Sequence, residues 1–214
     1  HPDVPAGSTN KYQNWEVVFW DNASTDRSAS IAKGYDKRIK YYLAPETTPL
    51  GEARNLALEK SDGQYIAFLD CDDIYLPDKL EQQVNLMQSK DYAMCYGSVV
   101  IIDENGNLIK KNFVKNKSGN VFSSLLRRYE INMQTVMLKR DFIVSNQLAF
   151  NTNMSYCPDH NLFMIIASKV DVGVITDVVA KYRIVGNSLS KKTIDIAPQE
   201  YRLTLDEISK GNPT

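Results

Sequence analysis

The chain has 214 residues, with 25 Lys and Arg against 26 Asp and Glu, so its net charge of −1 leaves no basic field to recruit nucleic acid. Hydrophobic residues make up 43% and charged residues 24%, an ordinary balance for a globular domain with one sizeable core. Three cysteines, Cys71, Cys95 and Cys157, show no C-x-x-C spacing, which argues against a disulfide framework or a zinc site, and no apolar run approaches the roughly 20 residues that span a bilayer.

Residues 1–14 are polar and turn-rich. Glu16 to Trp20 is a short, nearly continuous apolar run, the signature of a buried strand. The strand ends in an Asp21 to Asp26 loop, where Ser24 or Thr25 is placed to cap a helix carrying Ile31 and Ala32. Arg38 to Leu43 reads as a second strand, Pro45 to Gly51 as a loop, and Glu52 to Lys60 as a helix with Ala53, Leu56 and Ala57 on one face. Tyr65 to Leu69 is the next strand, and three carboxylates follow it at once: Asp70, Asp72 and Asp73. The first 80 residues therefore alternate strand and helix, which predicts an α/β fold with a mainly parallel sheet and helices on both faces.

A helix from Asp78 to Ser89 should turn Leu80, Val84 and Met87 inward. Tyr92 to Ile102 is a strand, and Asn105-Gly106 is a hairpin turn that returns Leu108 to Val114 alongside it. Phe122 to Arg128 reads as a short helix and Gln134 to Leu138 as a strand. Pro158 and Asp159 open a helix through Ala167, and Val172 to Tyr182 supplies a last strand. The segment 191–214 reads as a polar tail with a short helical stretch near Tyr201 to Ile208. The pattern shifts near residue 95 from βαβ units to hairpins, which divides one domain, 15–190, into halves at 15–95 and 96–190.

Clustered acids at the carboxyl end of a buried strand have two readings. Hard cations such as Mg²⁺ and Mn²⁺ take oxygen ligands, and Mg²⁺ commonly binds one or two carboxylates plus substrate phosphates. Alternatively the acids form a polar loop that caps the following helix. Asp21 is open to a ligand contact or an Asx-turn. Arg54, near a helix start, gains nothing from the helix dipole and reads as a ligand contact or a surface ion pair. Asp159 is open to proton abstraction or N-capping. His160 reads as polar surface and Trp20 as core.

Five motifs then coincide in order. Asn14 to Asp26 resembles the strand and D-D-G-S-x-D loop of the family 2 glycosyltransferases, and Gly51-Glu-Ala-Arg-Asn55 resembles their G-x-A-R-N helix start. Phe68 to Ile74 is similar to their D-x-D element, Pro158-Asp159 to the segment with their base, and Tyr182 to Ser190 to their Y-R-x-H-x-x-S-x-S segment. The resemblance implies a GT-A fold and inverting sugar transfer from a nucleoside-diphosphate donor, a UDP-sugar, to a carbohydrate or glycolipid acceptor. It implies Asp21 against uracil, Arg54 facing the nucleotide, Asp70 on the ribose, Asp72 on Mg²⁺ or Mn²⁺, and Asp159 as the base. The family's setting is surface-polysaccharide synthesis at the cytoplasmic face of a membrane, where basic clusters at Lys110-Lys111, Lys115, Lys117 and Arg127-Arg128 would meet lipid unless they are a solvated face.

Two departures stand out. The family's opening strand and helix have no counterpart before Glu16, so Val17 and Phe19 are expected to lack a neighbour, and an uncovered strand invites pairing with a second copy. That departure keeps a second reading open, a non-catalytic nucleotide-binding or partner-association domain. Val185 stands where many members carry a His.

Overall fold

The computed structural model describes residues 11–186 and 194–211. The expectations for residues 1–10, for the end of the Tyr182 to Ser190 motif and for the start of the tail lie outside the described residues. The first unit comprises β1 (Val17–Asp21), α1 (Ser28–Lys33) and β2 (Ile39–Leu43). β1 and β2 pair in parallel, with Val17 opposite Ile39 and Asp21 opposite Leu43. α1 begins later than Ser24 or Thr25, because the Asp26 carboxylate accepts the Ser28 N–H at 2.9 Å and closes the turn ahead of it.

α2 (Leu50–Glu59) starts two residues earlier than the sequence predicts, with Pro49 at its N-cap. The chain continues through β3 (Tyr65–Ala67), β4 (Ile74–Tyr75), α3 (Lys79–Lys90), β5 (Met94–Ile102) and β6 (Leu108–Asn112). Then follow α4 (Phe122–Arg127), a 3₁₀ turn (Met133–Thr135), β7 (Met137–Lys139) and α5 (Arg140–Ser145). α6 (Pro158–Lys169), β8 (Gly173–Arg183) and α7 (Ala197–Gly211) complete it.

β3, β7, β5, β8 and β4 form one sheet in that order, with β6 along β5. The sheet is mixed rather than mainly parallel as expected: β5 and β8 run parallel, while β3–β7, β5–β7, β4–β8 and β5–β6 are antiparallel. The turn through Gly106 is too short for the crossover that parallel neighbours need, so β6 can only return antiparallel. β1 and β2 stand as a separate two-stranded sheet. Among the described residues, β1 has a strand neighbour on one side only, and so does β3.

Helices cover both faces of the larger sheet, as the alternation of its strands requires. Met94, Tyr96, Leu138 and Ile66 turn to one face and pack on Leu125 of α4, Ile143 of α5, and Leu162, Phe163 and Ile166 of α6. Cys95 and Met137 turn to the other and meet Val84 and Met87 of α3, with Tyr65 and Ala67 partly buried beside them. The tail is not an appendage. α7 runs twice the length expected and lies along α6, with Ala197, Glu200 and Thr204 buried.

α3 also buries Lys79, which is wholly enclosed. Its ammonium donates to Gln83 Oε1 at 2.6 Å and lies 4.0 Å from the centre of the Tyr75 ring. Gln83 Nε2 passes the chain on to the Thr135 carbonyl at 2.8 Å. Burial pulls the Lys79 ammonium down to about 7. The unfolded chain keeps this proton up to a pH of roughly 10.4, so folding releases it, and stability rises with pH between about 7 and 10.4. Raising the pH from 7 to 9 should therefore stabilise the native chain relative to Lys79→Met by about 2 kcal/mol, measured by urea denaturation at both pH values.

Candidate active site

The site is assembled by the approach of α2 to the chain entering α6. Gly51 makes it possible: a Cβ there would lie 3.1 Å from the Asn151 carbonyl oxygen and 3.6 Å from Cβ of Pro158. One turn later Asn55 seals the contact. Its Nδ2 donates to the Phe150 carbonyl at 2.9 Å, and its Oδ1 accepts the Phe150 N–H at 2.8 Å. Between them sits Arg54, in the second turn of the helix because α2 begins at Leu50. The G-x-A-R-N segment thus combines a close approach, a buried Ala53, a cation and a backbone clamp.

Arg54 Nη2 lies 3.3 Å from Asp70 Oδ1, with the Arg54 side chain 14% exposed and that of Asp70 49%. Its positive field also reaches Asp159, whose carboxyl it pulls down, while the Asp70 charge pushes the same carboxyl up. The dominant influence on Asp159 is burial, and the net result is a carboxyl raised above the ordinary range. The ion-pair reading of Arg54 is thus realised, and its partner is the acid assigned to the ribose.

Asp159 is the second residue of α6, behind Pro158. The N-cap is Cys157, whose side chain makes no capping bond, so Asp159 is not the N-cap. It is ringed by aromatic groups. The His160 ring lies 4.5 Å from that of Tyr129 and 4.6 Å from that of Tyr201. Burial pulls His160 down to about 4, leaving it neutral at pH 7. The Tyr129 hydroxyl is pushed well up by burial and then by the Asp159 charge, and Tyr201 is pushed up to about 12, chiefly by burial. The Tyr129 hydroxyl and His160 Nδ1 are both buried without a hydrogen-bond partner. His160 is therefore part of the site's wall rather than a polar surface group.

The acids after β3 have separate duties. Asp70 and Asp72 are exposed, while Asp73 is 8% exposed. Asp73 Oδ1 accepts the Arg183 N–H at 2.8 Å, and Arg183 Nε donates to the Asp72 carbonyl at 2.9 Å, so β8 grips the acidic turn by its backbone. Asp73 does not cap α3. The N-cap there is Asp78, without a side-chain cap bond. Burial raises the Asp73 carboxyl to about 7, and its Oδ2 has no partner.

Asp21 is 2% exposed at the end of β1. Its Oδ1 accepts the Ser24 N–H at 2.8 Å and its Oδ2 accepts the Tyr41 hydroxyl at 2.6 Å, which together hold its carboxyl below the usual range. The turn reading is realised, and each oxygen keeps a second lone pair. Ala23 takes φ 62 where the resembling motif has glycine, at a cost of about 1 kcal/mol. The charge of Asp21 reaches Cys71, as do those of Asp70 and Asp72, so the ends of β1 and β3 face one space although their sheets are separate. Trp20 stacks on Tyr42 across β1 and β2, 6.5 Å between ring centres.

Among the described residues no three His, Cys, Asp or Glu side chains converge into a complete metal cage. Asp70 and Asp72, two hard carboxylates one residue apart on an exposed turn, fit an ion that completes its shell with diphosphate oxygens and water.

Sequence reasoning missed Tyr41, Tyr129, Glu200 and the bidentate role of Asn55. The spacing of Ala197, Glu200, Thr204 and Ile208 along one helical face was the available signal for α7.

Residues 7–155 match the model of the glycosyl transferase family 2. The chain belongs to that family. It is 32% identical to an uncharacterized glycosyltransferase of Rickettsia bellii over 92% of this chain and 28% of that protein. It is 31% identical to WfgD of Escherichia coli, named a UDP-Glc:alpha-D-GlcNAc-diphosphoundecaprenol beta-1,3-glucosyltransferase, over 84% of this chain and 69% of WfgD. The putative teichuronic acid biosynthesis glycosyltransferase TuaG of Bacillus subtilis is 29% identical over 84% of this chain and 71% of TuaG. Among solved structures, the TarS 1–349 fragment of S. aureus in complex with UDP-GlcNAc superposes with a TM-score of 0.75 at 17% identity, covering 94% of this chain and 59% of that one. The fold is thus the GT-A nucleotide-diphospho-sugar transferase type. The chain spans from about a quarter to about half the length of the Rickettsia and Haemophilus influenzae relatives it matches. Among the described residues no helix is long and apolar enough to cross a membrane.

The contact at Gly51 gives a direct test of this assembly. Gly51→Val should destabilise the fold by about 2 kcal/mol in urea denaturation, since overpacking a tight contact costs about 1–3 kcal/mol. Gly51→Ala should cost less, because alanine gains about 1 kcal/mol in helix propensity.

Proposed function

We propose that this domain transfers a sugar from a nucleoside-diphosphate donor, a UDP-sugar, to an acceptor hydroxyl with inversion. The single observation that carries the reading is Arg54, paired with Asp70 on one side and coupled electrostatically to Asp159 on the other. It supports reading Asp70 and the distant Asp159 carboxyl as parts of one site. The acceptor oxygen attacks the anomeric carbon, the bond from that carbon to the diphosphate oxygen breaks, and the electron pair leaves with the nucleoside diphosphate. Asp159 takes the proton released by the acceptor hydroxyl. Its burial makes it a stronger base than an exposed aspartate, and Arg54 holds it in the charged form needed to accept that proton. Asp21 faces uracil and Asp70 faces the ribose. Asp72 would hold Mg²⁺ or Mn²⁺, which would neutralise the departing diphosphate.

The acceptor is a carbohydrate or a glycolipid of a surface-polysaccharide pathway, a reading supported by the names that WfgD and TuaG carry. The work is placed at the cytoplasmic face of the membrane. Lys110, Lys111, Lys115, Lys117, Arg127 and Arg128 are exposed, and Leu108, Ile109 and Phe113 are exposed among them, a combination suited to peripheral contact with anionic lipid. Among the described residues β1 and β3 each pair on one side only, which favours a second reading, a nucleotide-binding domain that pairs with another copy and does not turn over.

Calorimetry with UDP should show binding that strengthens with Mn²⁺ and loses that dependence in Asp72→Ala. Asp159→Asn should keep UDP binding and lose at least a hundredfold in transfer or donor hydrolysis. Activity in the native chain should fall with acid at a pH above the ordinary carboxylate range, because the raised Asp159 carboxyl protonates early. Arg54→Ala should move that acid limb higher still. UDP binding indifferent to Mn²⁺ and to Asp72→Ala refutes the metal assignment, and a native chain that binds UDP without turnover supports the second reading.

A further inference from the structure

We infer that Glu200 of α7 is the positioning residue of Asp159, holding with both carboxylate oxygens the chain that leads into α6. The inference rests on the reading of Asp159 as the base. Cys157 at the N-cap of α6 offers no side-chain capping bond. The backbone N–H groups of Ser155, Tyr156 and Cys157, which precede the helix, need acceptors elsewhere. Glu200, 5% exposed, reaches across from the neighbouring helix and takes them all. Its Oε1 accepts the Ser155 N–H at 2.7 Å, and both oxygens accept the Tyr156 N–H at 3.1 Å. Its Oε2 accepts the Cys157 N–H at 2.8 Å. Three consecutive N–H groups gathered on one carboxylate fix the backbone immediately before Pro158 and Asp159.

The same face of α7 continues the hold on either side. Glu207 accepts Asn151 Nδ2 at 2.8 Å and Asn161 Nδ2 at 2.7 Å, and Asn161 Nδ2 lies 3.3 Å from Thr204 Oγ1. Asn151 is the residue against which Gly51 closes, and Asn161 follows Asp159 by two. Tyr201, next to Glu200, lies on the His160 ring. α7 therefore grips the chain before, at and after the base. A carboxylate does what a serine or asparagine cap cannot, since its two oxygens serve three donors while its charge favours the N-terminal end of α6.

The groups that set the charge of Asp159 are Arg54 of α2, Asp70 after β3, Tyr129 ahead of β7, Cys157 and His160 at the start of α6, and Tyr201 of α7. Each holds its distance from Asp159 only while the 155–157 backbone is fixed.

The test compares the native full chain with Glu200→Gln and Glu200→Ala. Gln keeps the shape and one acceptor oxygen but turns a donor toward the N–H groups. The titration of the Asp159 carboxyl is followed by carbon NMR, assigned with Asp159→Asn, beside UDP calorimetry and kinetics with a UDP-sugar. In Glu200→Gln the Asp159 titration should fall toward the ordinary carboxylate range, kcat should drop at least tenfold, and donor KM and UDP affinity should stay within about threefold. Glu200→Ala should go further in the same direction, and if it fails to fold, Glu200→Gln carries the test. An unchanged Asp159 titration in Glu200→Gln, with UDP binding intact, overturns the inference. A native chain without turnover counts against the transferase reading, and the Asp159 titration still decides the role of Glu200.

Discussion

The site depends on one close approach, that of a helix bearing a glycine to a carbonyl oxygen. At Gly51 the backbone of α2 comes near enough to Asn151 and Pro158 that any side chain would press on them. That distance brings Arg54 within the field of Asp159 while leaving it in contact with Asp70. Interiors are packed as tightly as organic crystals, so such an approach is held rather than sampled. The Asn55 clamp on Phe150 keeps it in register. Asp70 and the half-buried Asp159 carboxyl thus share one cation, although they come from chain segments some ninety residues apart.

Buried acids give the rest of the site its shape, and they do so by accepting backbone N–H groups. Glu200 takes those of Ser155 to Cys157. Glu130, 7% exposed, takes those of Lys115 and Asn116 at 2.9 and 3.0 Å and the Tyr96 hydroxyl at 3.0 Å. Asp73 takes that of Arg183, and Asp21 takes that of Ser24. Each pins a loop at the rim of the sheet. A buried carboxylate without donors would cost several kcal/mol, so the loop and the acid hold each other in place. The exposed acids, Asp70 and Asp72, carry no such duty and remain open to a ligand.

The strands and helices of the first half were legible because their periods are clean and their turns carry Gly, Pro or Asp. β5 and β8 were legible as long apolar runs, and the Asn105-Gly106 turn set the hairpin. β4 was not, since two residues paired with Lys181 and Ala180 leave no periodic trace. Gln134 falls in a 3₁₀ turn rather than a strand, because the chain must bend to bring β7 between β3 and β5. The site acids were legible as motifs, yet their individual tasks were not. Asp73 and Asp159 look alike as helix-start acids, and only the tertiary partners separate a clamp on β8 from a carboxyl in the field of Arg54. α7 was read as a polar tail because its buried face is built from Ala197, Glu200 and Thr204, residues that a hydrophobicity pattern does not register.

The seam between the two sheets has a mechanical consequence. Among the described residues no strand ladder crosses it, and the unit bearing Asp21 is held by side chains instead: Glu16 accepts the Asp62 N–H at 3.0 Å, Lys40 pairs with both acids, and Asn22 ties to Thr48. Such a unit opens at lower free energy than the core beneath it. A molecule that grips Asp21 with one end and Asp70 with the other would act as a rivet across this joint. Its grip would stiffen the small sheet far more than the large one, so the floor beneath such a molecule would be completed by the very compound that rests on it.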